Sequence, residues 1–166
     1  MLTIDIDRQI AIPAGDSDIP DDQTLTRWMQ SAYLGNDRAE AAVLIVDETE
    51  SHRLNLNYRQ QDKPTNVLSF AANLEPVDGI RHLGDIVICA PIVAREAAQQ
   101  AKPCAAHWAH MAIHGMLHLQ DYDHIEVRDA EIMEAREIEI LARLGFDNPY
   151  HIIEPDPGDA IAGNGH

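Results

Sequence analysis

Histidine is the residue whose placement first suggests chemistry. Five of the nine histidines in this 166-residue chain fall between positions 107 and 124. His107, His110, His114 and His118 are spaced by 3, 4 and 4 residues, so on a helix they project along one face. His114 and His118, one turn apart, can bring two imidazole nitrogens to one ion at about 2.0–2.1 Å, and His124 lies beyond a turn that can fold it back as a third ligand. No fourth protein ligand is evident nearby. The site so predicted keeps a position for water or substrate, which is the arrangement of catalytic zinc. Zinc is the first choice for an all-imidazole set, with nickel, copper and cobalt as other nitrogen-preferring ions. His107 and His110 are read as packing residues or as supports behind the ligands.

The residue after His114 bears on what such an ion would do. Zinc proteases of the His-Glu-x-x-His type place their general base directly after the first histidine, whereas this chain reads His114-Gly115-Met116-Leu117-His118. The spacing of all three histidines still matches the metzincin subgroup, so a metzincin-like zinc protease is one reading, weakened by the missing glutamate. Charge points elsewhere. Residues 51–70 carry Arg53, Arg59 and Lys63 against Asp62 alone, while the remainder of the chain carries 9 basic and 27 acidic groups. A cationic patch within an acidic field suits a polyanion bound at one cleft and discourages sliding along duplex.

These side chains need a frame. The alternation Leu2-Thr3-Ile4-Asp5-Ile6 predicts a strand. Leu25, Trp28, Met29, Ala32 and Tyr33 recur at helical spacing behind Pro20 and two aspartates, with Gly35 placed as a left-handed cap. Ala42 to Val46 reads as a buried strand and Glu48 to Asn55 as a short helix ending before Tyr58. Val67 to Phe70 and Ile86 to Ala90 read as two more strands, separated by a loop holding Pro76, Gly79 and Gly84. Pro91 suits a first helical position, ahead of a narrow face of Ile92, Val93 and Ala97. Pro103 opens a helix running to about Gln120, and a last helix runs from about Val127 to Leu144 before Gly145. Its inward stripe of Ala130, Met133, Ile140, Leu141 and Leu144 contains Glu137, which the sequence does not explain. The succession predicts an α+β fold: a single mixed sheet of about four strands packed with about five helices, with the metal site on a C-terminal helix and the loop that follows.

Length and composition set the outer bounds. A chain of 18.5 kDa with 45% hydrophobic residues is expected to form a single catalytic domain over 1–153. The acidic, glycine-rich stretch 154–166 is expected to be disordered. A formal charge of −16 excludes non-specific coating of nucleic acid. The longest weakly polar run, Ile86 to Ala94, is half of what a membrane span needs, and Asp5 and Asp7 stand where a signal peptide would carry cations. Cys89 and Cys104 are too few for a disulfide framework, so a soluble cytoplasmic protein is expected.

The stretch from His114 to His124 also resembles the signature of the YbeY family, bacterial single-strand-specific endoribonucleases of ribosomal RNA maturation, which reads His-Gly-x-Leu-His-Leu-x-Gly-Tyr-Asp-His. Leu54-Asn55-Leu56-Asn57-Tyr58-Arg59, Pro64-Thr65-Asn66-Val67-Leu68-Ser69-Phe70, Leu83-Gly84-Asp85-Ile86-Val87-Ile88 and Asn148-Pro149-Tyr150 resemble the same family. Asp121 and Gln60 stand where the family usually has glycine. The resemblance implies a metal-dependent endoribonuclease acting on precursor ribosomal RNA, in 16S rRNA 3′-end maturation and ribosome quality control. It puts the ion on His114, His118 and His124. Arg59 becomes the catalytic electrophile and substrate contact, with Lys63 beside it. Asp85 and Asp123 become candidates to orient a ligand imidazole or manage a proton. A small-subunit ribosomal protein and an assembly GTPase are the implied partners. A third reading is a non-catalytic ribosome-assembly factor whose metal staples the last two helices.

Overall fold

The structure, a computed structural model, describes residues 2–8, 19–72, 75–120 and 127–150, with the backbone alone for Arg8 and residues 127–130. Strands β1 (Leu2–Arg8), β2 (Arg38–Val46), β3 (Val67–Ala71) and β4 (Ile80–Cys89) form one sheet in the order β1-β2-β4-β3. β1 and β4 run parallel to β2 on either side of it, and edge strand β3 runs antiparallel to β4. The helices are α1 (Asp22–Ser31), α2 (Glu48–Arg59), α3 (Ala90–Gln99), α4 (Cys104–Leu119) and α5 (Val127–Arg143). Among the described residues this is the expected α+β architecture, one mixed four-stranded sheet with five helices.

Side-chain alternation along the strands divides the core. Ala39, Ala41, Val43, Ile45, Ile86 and Ile88 turn to the face covered by α1, α4 and α5. Leu44, Val46, Leu68, Phe70 and Val87 turn to the other face, where α2 adds Leu54 and α3 adds Ile92. Helix α4 lies at the centre of the first face. From His107 to Leu119 every residue of it is buried except His114 and His118. The wholly buried Trp108, Ile113, Met116 and Leu117 make that depth favourable. Closest approach falls at Gly115, where an added Cβ would stand 2.9 Å from Cγ2 of the fully buried Ile86. A side chain there would overpack the seam between helix and sheet, so the glutamate of a His-Glu-x-x-His protease has no room.

Four local expectations are corrected. α1 ends at Ala32 in a right-handed conformation, and Gly35 is not a left-handed cap; its missing side chain makes space for the Tyr33 hydroxyl, 2.5 Å from where a Cβ would be. α2 continues past Asn55 to Arg59, because the stop is Gln60 at φ 56°, a left-handed position that a non-glycine residue adopts at a cost of about 1 kcal/mol. β4 begins at Ile80, not Ile86. Gly84, expected in a loop, sits inside β4 at φ 132° where the register with β2 shifts, and a Cβ there would meet the Phe70 carbonyl at 2.1 Å.

The end of α4 is fastened by Gln120. Its Nε2 donates to the carbonyls of Ala32 (2.8 Å) and Met116 (2.9 Å), while its Oε1 accepts from the Leu34 amide at 2.8 Å. The helix therefore leads into 121–126 from a fixed point. That segment, with Asp121, Asp123 and His124, lies outside the described residues, as does the stretch 154–166. Cys89 and Cys104 form no disulfide, and burial pushes the Cys89 thiol up, as expected of a packing residue. Among the described residues no helix is long and apolar enough to cross a membrane.

Candidate active site

One helical turn separates His114 from His118, and both rings lie on the part of α4 that the rest of the fold leaves half-exposed. Their Nε2 atoms face one another at 3.0 Å, with ring centroids 4.5 Å apart. Two nitrogens bound to one tetrahedral ion at about 2.0–2.1 Å stand about 3.3 Å apart, so a few tenths of an ångström would open the pair to a shared cation. The donor set and its spacing fit a divalent metal.

Behind His114 lies Glu137 of α5, 0% exposed. Its Oε2 lies 2.6 Å from His114 Nδ1, and its Oε1 lies 3.0 Å from His110 Nε2 and accepts from the Tyr150 hydroxyl. Burial alone would push this carboxyl up. The hydrogen bonds from His110, His114 and Tyr150 outweigh burial and hold it at about 2. The ionised carboxylate can only accept, which sets His114 as its Nδ1–H tautomer with Nε2 turned to His118. A carboxylate behind a histidine in this way fixes the ring and raises its basicity toward a metal. The acid that interrupts the apolar stripe of α5 is thereby explained. The sequence signal was that interruption: a lone carboxylate on a buried face needs donors, and the histidines of α4 supply two of them beside Tyr150.

His110, His114 and Glu137 also offer three donor atoms within 4.8 Å of one another and could together hold an ion. That trio is closed: His110 is 7% exposed and Glu137 wholly buried, whereas the His114 side chain is 25% exposed. An ion within it would displace the carboxylate's hydrogen bonds to both imidazoles. Farther along the stripe, His107 lies buried with Nε2 2.8 Å from Glu96, and burial pushes its pKa down despite that partner. Among the described residues His107 and His110 have Nδ1 atoms without a hydrogen-bond partner, which suits neutral rings whose Nε2–H donates to a carboxylate. Both serve as packing and support. Replacing Glu137 with glutamine keeps the shape but leaves one acceptor for two imidazole donors. The expected result is a 10–100-fold weaker metal affinity, read by titration with a chromogenic chelator. Unchanged affinity would confine Glu137 to packing.

The second cluster is built on α2. Asp47 caps the helix by accepting from the Glu50 amide at 2.9 Å. Buried Ser51 donates to the Thr65 carbonyl (2.7 Å) and accepts from the Thr65 amide (2.9 Å), and buried Asn55 donates to the Lys63 carbonyl at 2.8 Å. The loop bearing Lys63 is thus pinned to the helix. At the helix end, Arg59 donates from Nη2 to the Ser69 carbonyl at 2.6 Å and lies 4.9 Å above the Phe70 ring centroid. Ser69 donates from Oγ to the Gly115 carbonyl at 3.4 Å, so the strand that anchors Arg59 abuts α4 next to His114. Arg53 is engaged by Glu50 in a two-pronged exposed pair, 2.9 and 2.6 Å. Among the described residues, Arg59 and Lys63 are the cations of this patch that carry no ion pair.

The structure therefore brings His114 and His118 together and ties Arg59, at the end of α2, to the adjoining strand β3, with Lys63 exposed on the loop beside it. His124 and Asp123 lie outside the described residues. Asp85 is exposed on β4 in register with Phe70, and among the described residues a carboxylate that reaches a candidate ligand imidazole is Glu137. The model of a protein family described as "Endoribonuclease YbeY" matches residues 16–145 of the chain. A curated protein of Methylococcus capsulatus named "Endoribonuclease YbeY" is 53% identical over 145 residues, covering 86% of this chain and 95% of that protein. The solution structure of TM1509 from Thermotoga maritima is similar with a TM-score of 0.52 at 26% identity, covering 94% of this chain and 99% of that one.

Proposed function

From the premise that the chain belongs to the YbeY endoribonuclease family, we propose that it hydrolyses phosphodiester bonds in single-stranded segments of precursor ribosomal RNA. The observation that carries this reading is the pair of facing Nε2 atoms on the exposed part of α4, backed by Glu137 and bordered by the strand that holds Arg59. His114, His118 and His124 would hold one zinc ion or another nitrogen-preferring divalent metal. Such an ion, when bound, supplies Lewis-acid polarisation of the phosphodiester and of a water.

The chain's own residues do the rest. Glu137 holds His114 in the tautomer that turns Nε2 outward. Arg59, steadied by the Ser69 carbonyl and the Phe70 ring, has guanidinium donors left for phosphoryl oxygens on which charge grows. Lys63 adds a diffuse attraction for the backbone. The acidic remainder of the surface keeps other polyanions away and suits basic partners, such as a small-subunit ribosomal protein, with an assembly GTPase as the second partner; the place of action is then the cytoplasm, where ribosomes are made.

The test is incubation of metal-loaded protein with a precursor ribosomal RNA containing single-stranded and paired segments, beside His114→Ala. Cleavage confined to single-stranded segments and absent from the variant is expected. Identical cleavage by both proteins would overturn the assignment.

A further inference from the structure

We propose that Tyr58 and Phe70 form a stacking platform for an unpaired base beside the scissile phosphate; this rests on the ribonuclease reading and adds how single strands are told from duplex. Tyr58, on the last turn of α2, is 59% exposed, yet its ring is held edge-on to Phe70 with centroids 5.4 Å apart and planes at 69°. Phe70 in turn carries the Arg59 guanidinium at 4.9 Å from its centroid. Three π-bearing groups are thus locked to one another at the edge of the sheet, with the Tyr58 ring and the Arg59 guanidinium presented to solvent. A ring fixed in this way accepts a base with little ordering cost.

Charge explains why such a platform is needed. With a formal charge of −16 on the chain, and Arg53 already engaged by Glu50, the patch has few cations with which to grip phosphates. Affinity for RNA must then come in larger part from the bases, and aromatic stacking is sequence-tolerant. In a duplex both faces of each base are covered by its neighbours, so the platform engages only bases free to leave the stack. Arg59 connects the two tasks, since the same guanidinium that rests on Phe70 reaches the strand against α4.

The experiment compares holoenzyme Tyr58→Ala, Tyr58→Leu and Tyr58→Phe on a single-stranded oligoribonucleotide, with metal content and melting temperature measured for each. Tyr58→Leu preserves apolar contact with Phe70 without offering a ring. Expected are a KM raised about 5–100-fold in the alanine and leucine variants at nearly constant kcat and metal content, and a KM close to wild type in Tyr58→Phe. An oligonucleotide made abasic at the base next to the cleaved bond should raise KM for wild type but not for Tyr58→Leu. A folded, metal-loaded Tyr58→Leu protein with wild-type KM overturns the platform alone, and so does an abasic effect equal in both proteins. Failure of the wild type to cleave any RNA instead overturns the ribonuclease reading.

Discussion

Cleavage by a His118→Ala protein is expected to fall about 10³-fold or more, together with its bound metal, whereas His110→Ala is expected to keep the ion. The contrast follows from where the two rings stand. His118 is half-exposed and turns Nε2 to that of His114, so removing it takes away the proposed ligand without disturbing the core. Losing several kcal/mol of charge stabilisation at a phosphoryl centre corresponds to three or more powers of ten in rate. His110 is buried and spends Nε2 on Glu137 and Tyr150, 3.0 and 3.2 Å away. Its loss loosens the carboxylate behind His114, which should weaken the metal and lower the melting temperature without abolishing the site. Metal analysis by atomic absorption and single-turnover cleavage read both variants. The reverse outcome, an ion retained by His118→Ala and lost by His110→Ala, would move the metal to His110, His114 and Glu137.

The facing pair His114 and His118 was legible because helical spacing is a local rule: two residues four apart must share a face wherever the helix lies. Glu137 stayed an unexplained acid because its histidine partners belong to another helix, 23 and 27 positions away. The same limit explains the misjudged ends. Gly84 carries a turn signal by composition, yet it is demanded inside β4 by the Phe70 carbonyl of the neighbouring strand. Gln60 gives no stop signal, yet it closes α2 in a left-handed conformation, and that carries the helix on through Tyr58 and Arg59. Both shifts concern the candidate site, since the extra turn of α2 and the bulge in β4 decide where Arg59 and Phe70 meet. Spacing reveals which residues could act together on one element. Which groups from different elements meet is set by packing, as Gly115 against Ile86 shows.

Arg59→Ala is expected to lower kcat for RNA cleavage by about 10²–10³-fold while metal content stays at the wild-type level. The guanidinium is exposed, bonded to one backbone carbonyl and resting on one ring, and contributes nothing to the metal's donor set. Its removal should therefore separate charge stabilisation from metal binding. Arg59→Lys makes the sharper case. An ammonium preserves the charge but cannot bond Ser69, rest on Phe70 and present a fork to two phosphoryl oxygens at once. If Arg59 acts through that planar geometry, lysine restores little of the lost kcat, and KM, to which base stacking and the diffuse attraction for the backbone also contribute, moves less than kcat in both variants. If charge alone sufficed, lysine would restore most of the rate. A melting temperature that falls in step with activity in both variants would make Arg59 a strut between α2 and β3, and the group that meets the phosphoryl oxygens would have to be sought at Lys63.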